Sequence, residues 1–431
     1  MEEKFAEAVK MLQKETQYAV GCTDPIGIAL AAAKARSHCP GDLKRMRVSV
    51  SPNIFKNAVD VGIPGTNRKG IHIAAAMGIV YGDSEKELSV LHGVEEIDEK
   101  EIEDIIDSME IAVEISENKI LLFIEVRLET DQDWVCCRIE DDYNHIVSIQ
   151  KNGKELVEEP RAQEKKSSFA WEGIDVEDLW FFAEKVQMQK ILFLKEGAMK
   201  NLEAAHIGIK KETSFGLGCA LSHMKESSNE MGSYLKARSY TAGASDARMA
   251  GYPVPIMTVA GSGNHGITSL LTILAVWENE DLDDESLLRG LAISALTTIL
   301  IKWHIQKMNA FCGCAVAAAT GAAAGITWML GGNKEQMIGS MESIMGSLTG
   351  MICDGAKGSC SYKVSVASGE AVLHAYLAVK GISIKSPVGI LDHNIHQSIK
   401  YLGEINDPGM KETDRVILSI IRRIKEDQSV I

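Results

Sequence analysis

The chain has 26 consecutive uncharged residues between Lys307 and Lys334, most of them small, including the run GCAVAAATGAAAGITWMLGG. A stretch that long without a charge must leave water, so it limits the fold more than any other feature. A membrane span needs about 20 predominantly apolar residues, and length alone would permit one here. The side chains argue otherwise, because Leu, Ile and Phe are scarce and alanine and glycine offer lipid little apolar area. Small residues at helical spacing instead let backbones approach closely, which predicts a helix buried in a tightly packed core. The chain keeps this character from about residue 172 to its end, so a compact helical bundle is expected there.

The first 160 residues read differently. Two helices are expected within residues 1–40, the second starting after Asp24-Pro25, where proline suits the first turn and the acidic side chain suits the cap. A strand follows at 45–51, then a turn-rich segment at 59–70 and an Ala-rich helix from Ile71. Between 86 and 165 an acidic amphipathic helix (about 98–110) precedes the strand-like runs ILLFIEVRLET, DWVCCRIED and HIVSIQKN. Asn152-Gly153 is a strong hairpin signal. The expected fold is α+β: a mainly α-helical bundle with an inserted antiparallel α/β subdomain. Residues 1–42 are assigned to the helical bundle, 43–168 to the subdomain with its polar boundary at 158–168, and 169–431 to the helical catalytic domain. The length suffices for two or three domains.

A net charge of −15, from 45 basic and 60 acidic residues, with no basic cluster, argues against nucleic acid as a partner. The N-terminal segment is charged throughout and lacks the apolar core of a signal peptide, so a cytoplasmic location is expected, without membrane association. Nine cysteines, an odd number, argue against a disulfide framework. In a reducing compartment cysteines are either inert core residues or are kept for metal and redox chemistry.

Their settings separate them. Cys22 lies in Gly21-Cys22-Thr23-Asp24-Pro25, at the mouth of a helix, where a thiolate is favoured. Cys312 and Cys314 stand at the head of the Ala-rich helix, and Cys353 and Cys360 frame CDGAKGSC. Paired CxxC knuckles of the zinc type do not occur. A scattered set suits either buried core thiols or a cluster held by three thiolates with one iron left open. Cys136 and Cys137 sit side by side in a strand and point to opposite faces, so they cannot chelate as a unit. Cys39 and Cys219 read as structural. Three Gly-rich segments precede or open helices: Gly62–Asn67, 260–266 and 356–359. Each suits a carboxylate or phosphate at a helix N-terminus, and each is equally good turn material.

Taken together, GCTDPIGIALAAA, NIFKNAVDVGIPGT, AGSGNHGI, NAFCGCAVAAATGAAAGI and GMICDGAKGSC resemble the iron–sulfur L-serine dehydratase α-chain family, and within it the L-cysteine desulfidase branch. The resemblance covers nearly the whole chain. It implies a [4Fe–4S] cluster rather than pyridoxal phosphate, and no Schiff-base lysine with a phosphate cup is evident. By resemblance the cluster ligands are Cys22, Cys353 at the start of a late helix carrying Lys363 ten residues on, and Cys312, with Cys314 as its rival. Ala33 stands where the dehydratases place a second, nearby ligand. Gly65, Thr66 and Asn67 resemble one substrate loop of the family, and Gly261, Ser262, Gly263 and Asn264 the other. The dehydratase loop ends in a histidine where this chain has Lys69.

The implied reaction is α,β-elimination from a small amino acid, L-cysteine or alternatively L-serine. Lys69 and Lys363 are the expected catalytic residues, with His265 a third candidate for the base. A non-catalytic iron–sulfur protein with Cys360 as fourth ligand is the alternative from another class. Homodimers are frequent in the family, which makes a dimer an expectation.

Overall fold

The structure is a computed structural model that describes residues 2–94, 97–118, 120–160, 176–210, 213–226, 232–306 and 310–427. The N-terminal part comprises α1 (Glu2–Glu15), β1 (Tyr18–Val20), α2 (Thr23–His38), β2 (Leu43–Val50), α3 (Pro52–Ala58), α4 (Ile71–Tyr81) and α5 (Glu99–Ser108). Five strands follow: β3 (Glu110–Ile115), β4 (Phe123–Thr130), β5 (Trp134–Glu140), β6 (Ile146–Lys151) and β7 (Lys154–Glu158). The remainder is helical apart from β8 (Pro255–Met257). Its helices are α6 (Val176–Lys185), α7 (Leu192–Lys210), α8 (Leu217–Glu226), α9 (Gly232–Met249), α10 (Gly263–Glu280) and α11 (Asp284–Ile305), then α12 (Ala319–Met329), α13 (Lys334–Leu348), α14 (Cys360–Val379), α15 (Ile395–Glu404) and α16 (Lys411–Asp427). This is the mainly helical α+β fold that the sequence pattern predicts. Most of the expected boundary at 158–168 lies outside the described residues.

The large sheet has the order β3-β2-β4-β5-β6-β7. Four of its five pairings are antiparallel, but β2 and β3 run parallel, Arg45 opposite Glu110. The sheet is therefore mixed, not purely antiparallel as expected. A parallel pair needs a crossover, and α3, α4 and α5 provide it. The β6–β7 hairpin turns through Asn152 (φ 50°) and Gly153 (φ 82°), the two left-handed positions that an Asn-Gly turn accepts.

Two hydrophobic cores result. Val48, Val50, Ile124, Val126 and Ile139 of the sheet pack against Ile28, Ala32 and Ala35 of α2 and Ala75 and Met77 of α4. The second core gathers α1, α7, α10, α11 and neighbouring helices around Leu12, Leu194, Leu274, Leu291 and Leu300. The two N-terminal helices thus divide, α1 joining the helical core and α2 the sheet, instead of both belonging to the bundle. Residues 23–33 of α2 are buried on every side, and its last turn, with Lys34, Arg36 and Ser37, reaches the surface.

Backbones in the helical core touch directly. A Cβ built on Gly208 of α7 would lie 1.9 Å from the Gly243 carbonyl oxygen of α9. The uncharged stretch continues this pattern: 314–318 form a π-helical turn leading into α12, and the side chains from Cys314 to Thr327 are buried. Helix α11 is long and apolar enough to cross a membrane, yet most of it is buried within the fold.

Candidate functional site

The junction of the two cores encloses a cavity of about 140 Å³. Its walls come from the β1–α2 turn, α3, two sheet-side positions (Leu122 and Tyr143), the end of α9, the start of α10, α11, residues 311–314, the 353–360 loop and α14. Cys22, Cys312, Cys314, Cys353 and Cys360 all line it.

Local structure explains how such distant cysteines meet. Gly21 takes φ +77°, and a side chain there would meet the Pro64 ring at 2.5 Å, so the backbone turns sharply and delivers Cys22 to the N-cap of α2. The helix begins at Thr23, and Asp24 does not cap it. The Asp24 carboxylate accepts from the Tyr143 hydroxyl (2.9 Å), the Asn57 amide (3.3 Å) and the Cys22 thiol (3.7 Å). Cys312 and Cys353 are brought together by a short bridge, in which Cys312 N–H donates to the Met351 carbonyl (2.8 Å) and Cys353 N–H to the Ala310 carbonyl (2.7 Å). Cys353 does not begin the late helix. It sits on a loop seven residues earlier, and Cys360 is the first residue of α14.

That loop is pinned by cations. Lys56, 4% exposed, donates to Asp414 of α16 (2.5 Å) and to the Cys353 carbonyl (3.4 Å). Lys357 pairs with Asp354 at 2.6 Å, and Lys363 donates to the same carboxylate and to the Ile352 carbonyl (3.0 Å). Burial alone would lift the Asp354 carboxyl, but the two lysines hold it down at about 2. Burial alone would likewise lower Lys363, but Asp354 outweighs it and the ammonium is held above its ordinary value. Lys363 is therefore a fixed cation, unsuited to taking a proton.

The thiols themselves are perturbed. Burial pushes Cys22 up to about 12 and Cys360 up to about 11. The expectation that the helix mouth favours a Cys22 thiolate fails in the chain alone, because loss of solvation outweighs the helix end. Cys312 and Cys314 form a pair: the Cys314 thiol donates to Cys312, which is lowered, while Cys314 is raised. The charge on Cys360 is felt at Cys22 and Cys314, and Cys360 in turn feels Cys353 and Cys312, so the set is one electrostatic unit.

Among the described residues no three His, Cys, Asp or Glu side chains are grouped closely enough for a single metal ion. A cluster of four irons is larger and takes its thiolates from further apart. The donor set fits such a group on two counts. Five sulfurs share one cavity and none is in a disulfide, and Lys302 and Lys363 on the same walls add positive charge of the kind buried thiolates demand.

Of the two loops expected to bind substrate, one lines the cavity: Gly261, Ser262 and Asn264, with Gly263 beside them at the first turn of α10. The other does not. Thr66 spends its hydroxyl on Ile63 and Arg68, Asn67 is exposed and bonded to Glu99, and Gly65 N–H donates to the Gly251 carbonyl. Lys69 is exposed and also lies off the cavity. This loop instead buttresses the Cys22 turn through Pro64.

His265 is buried on the cavity wall. Its Nδ1 faces the Val259 carbonyl (3.3 Å), which can only accept, so Nδ1 carries the hydrogen and Nε2 keeps a lone pair. Burial, with Lys302 and Arg248 nearby, pushes the imidazole down to about 3 and keeps it neutral. Sequence reasoning passed over Arg248, Asp24, Tyr143, Lys56 and Lys302. For Arg248 a signal existed: it and Asp246 are the only charged residues between Arg238 and Glu278.

The fold and this thiol-lined cavity meet a family in the comparisons. The family model described as serine dehydratase alpha chain matches residues 85–419, and the chain belongs to that family, which points to a dehydratase-type lyase. It is similar along nearly its whole length to a UPF0597 protein of Clostridioides difficile (39% identity, covering 96% of this chain and 98% of the relative). UPF0597 proteins of Methanocella arvoryzae (36%, covering 96% and 97%) and Caldanaerobacter subterraneus (34%, covering 95% and 97%) are similar to the same extent.

Proposed function

We propose that the chain is an iron–sulfur-dependent lyase that removes H₂S from L-cysteine by α,β-elimination, with L-serine as the alternative substrate. The observation that carries this reading is the convergence of Cys22, Cys312 and Cys353, from three distant segments, on the cavity that also holds the α10 loop. When bound to these three thiolates, a [4Fe–4S] cluster with one open iron supplies Lewis acidity toward the leaving sulfur or hydroxyl. Leu122, Phe311 and Val364 give part of the wall an apolar character, which suits a thiol better than a hydroxyl.

The chain's own groups have separable tasks. The first amides of α10 have no helical partners, and they orient the substrate within the Gly261–Asn264 loop. His265, held by the Val259 carbonyl, takes the Cα proton on Nε2. The negative charge of the cluster thiolates and the substrate carboxylate raises its basicity from the low value that burial, Lys302 and Arg248 impose. The Cα–H and Cβ–S bonds break, a Cα–Cβ double bond forms, and the resulting enamine hydrolyses to pyruvate and ammonia. Lys363 and Lys56 fix the 353–360 loop and stay charged.

Turnover of both amino acids by anaerobically reconstituted protein tests the reading, with pyruvate and sulfide measured separately. Equal pyruvate and sulfide from L-cysteine, at a kcat/KM above that for L-serine, is expected. Pyruvate from L-serine alone would shift the assignment to a dehydratase, and no pyruvate from either would end it. Replacing the base, His265→Gln, is expected to lower kcat about 10²- to 10⁴-fold while iron and sulfide content stay at the wild-type level. Unchanged kcat in that variant would remove His265 from the reaction.

A further inference from the structure

We infer that Arg248 is the receptor for the substrate's carboxylate, an inference that rests on the elimination reading above. Arg248 lines the cavity, is only 3% exposed, and makes no ion pair among the described residues. One terminal N–H donates to the Asn264 side-chain oxygen at 3.1 Å, while Nε has no hydrogen-bond partner among the described residues. A guanidinium cannot discharge itself by losing a proton, so burying it without an anion is costly. The other cavity cations whose pairs are resolved, Lys56 and Lys363, each hold a carboxylate. Asp24 feels the Arg248 charge but spends its oxygens on Tyr143, Asn57 and Cys22.

Local packing shows that the position is built. The guanidinium lies over Gly263, where any Cβ would fall 2.4 Å from Nε, so residue 263 has no side chain in order to admit it. That places the planar donor fork against the first turn of α10, a helix end that carries partial positive charge. Arginine here supplies directed donors and the helix end supplies partial positive charge, and together they match one carboxylate. Asn264 holds the fork in place through its side-chain oxygen. The substrate class is thereby narrowed to amino acids with a free α-carboxylate, to the exclusion of amides and esters.

Calorimetric titration of the anaerobic holoprotein with L-alanine and L-alaninamide, which lack a leaving group, reads this directly. Wild type is expected to bind the acid about 100-fold more tightly than the amide, and Arg248→Gln to reduce that preference to about 5-fold or less with iron and sulfide content unchanged. Arg248→Lys, which keeps the charge without the fork, is expected to fall between the two, and serves if the Gln variant does not fold. An undiminished preference for the acid in the variants overturns the inference while leaving the lyase reading intact. Loss of iron from a folded Arg248→Gln variant also overturns it, because the arginine would then serve the cluster. Wild-type holoprotein that binds neither ligand overturns both readings.

Discussion

Cys22→Ala, Cys312→Ala and Cys353→Ala are each expected to strip the anaerobic protein of its visible iron–sulfur absorbance and reduce pyruvate formation to background. Cys136→Ala leaves both unchanged. The large effect follows from the geometry: each of the three thiols is delivered by its own segment, and the chain holds no adjacent CxxC pair to compensate. Cys22 sits at the N-cap of α2, Cys312 and Cys353 on the two sides of one short backbone bridge. Cys136, by contrast, lies in β5 of the sheet and does not line the cavity. The informative fourth variant is Cys360→Ser. Retention of the absorbance is expected, and its loss would favour a four-cysteine redox centre with no iron open to substrate.

Gly208→Val is expected to destabilise the chain by about 3 kcal/mol or more, seen as a fall of roughly 3 °C or more in Tm. No rotamer relieves the clash, because the atom 1.9 Å from the added Cβ is the Gly243 carbonyl oxygen of the facing helix, and backbone must move. Gly350→Ala is the matched control. A Cβ there meets nothing within 4 Å, and its effect should stay within about 0.5 kcal/mol. Equal Tm values for the two variants would contradict backbone-to-backbone packing of α7 on α9.

Much of this packing was legible in the residues. Alanine and glycine in a long uncharged stretch mean close burial, and 314–329 do form a buried helical segment. Asn152-Gly153 closes a hairpin because that pair tolerates two left-handed positions. The candidate cysteines share one cavity, and the 261–264 loop stands on its wall. Other features left no local trace. The parallel pairing of β2 with β3 joins residues 65 apart in sequence, and alternation along a strand does not encode its partner. The Gly65–Asn67 loop has the composition of an anion cradle, but its hydroxyl and amides are consumed by its own turn and by neighbouring residues. Lys69 was placed in the site by its proximity to that loop and falls with it. Lys363 does line the cavity, but its charge state depends on Asp354, a partner nine residues away that holds it charged. Arg248 left a trace, as one of only two charges between Arg238 and Glu278, but its place on the cavity needed the fold.

The account depends on sulfurs from remote parts of the chain gripping a metal centre that keeps room for an incoming molecule. Mössbauer spectroscopy of ⁵⁷Fe-reconstituted wild-type protein, with and without L-cysteine, addresses that directly. Four irons per chain, one of them distinct and shifting when the amino acid is added, is the predicted result. A protein that takes up no iron under strictly anaerobic conditions, or a cluster whose four irons all ignore L-cysteine and L-serine, would contradict it.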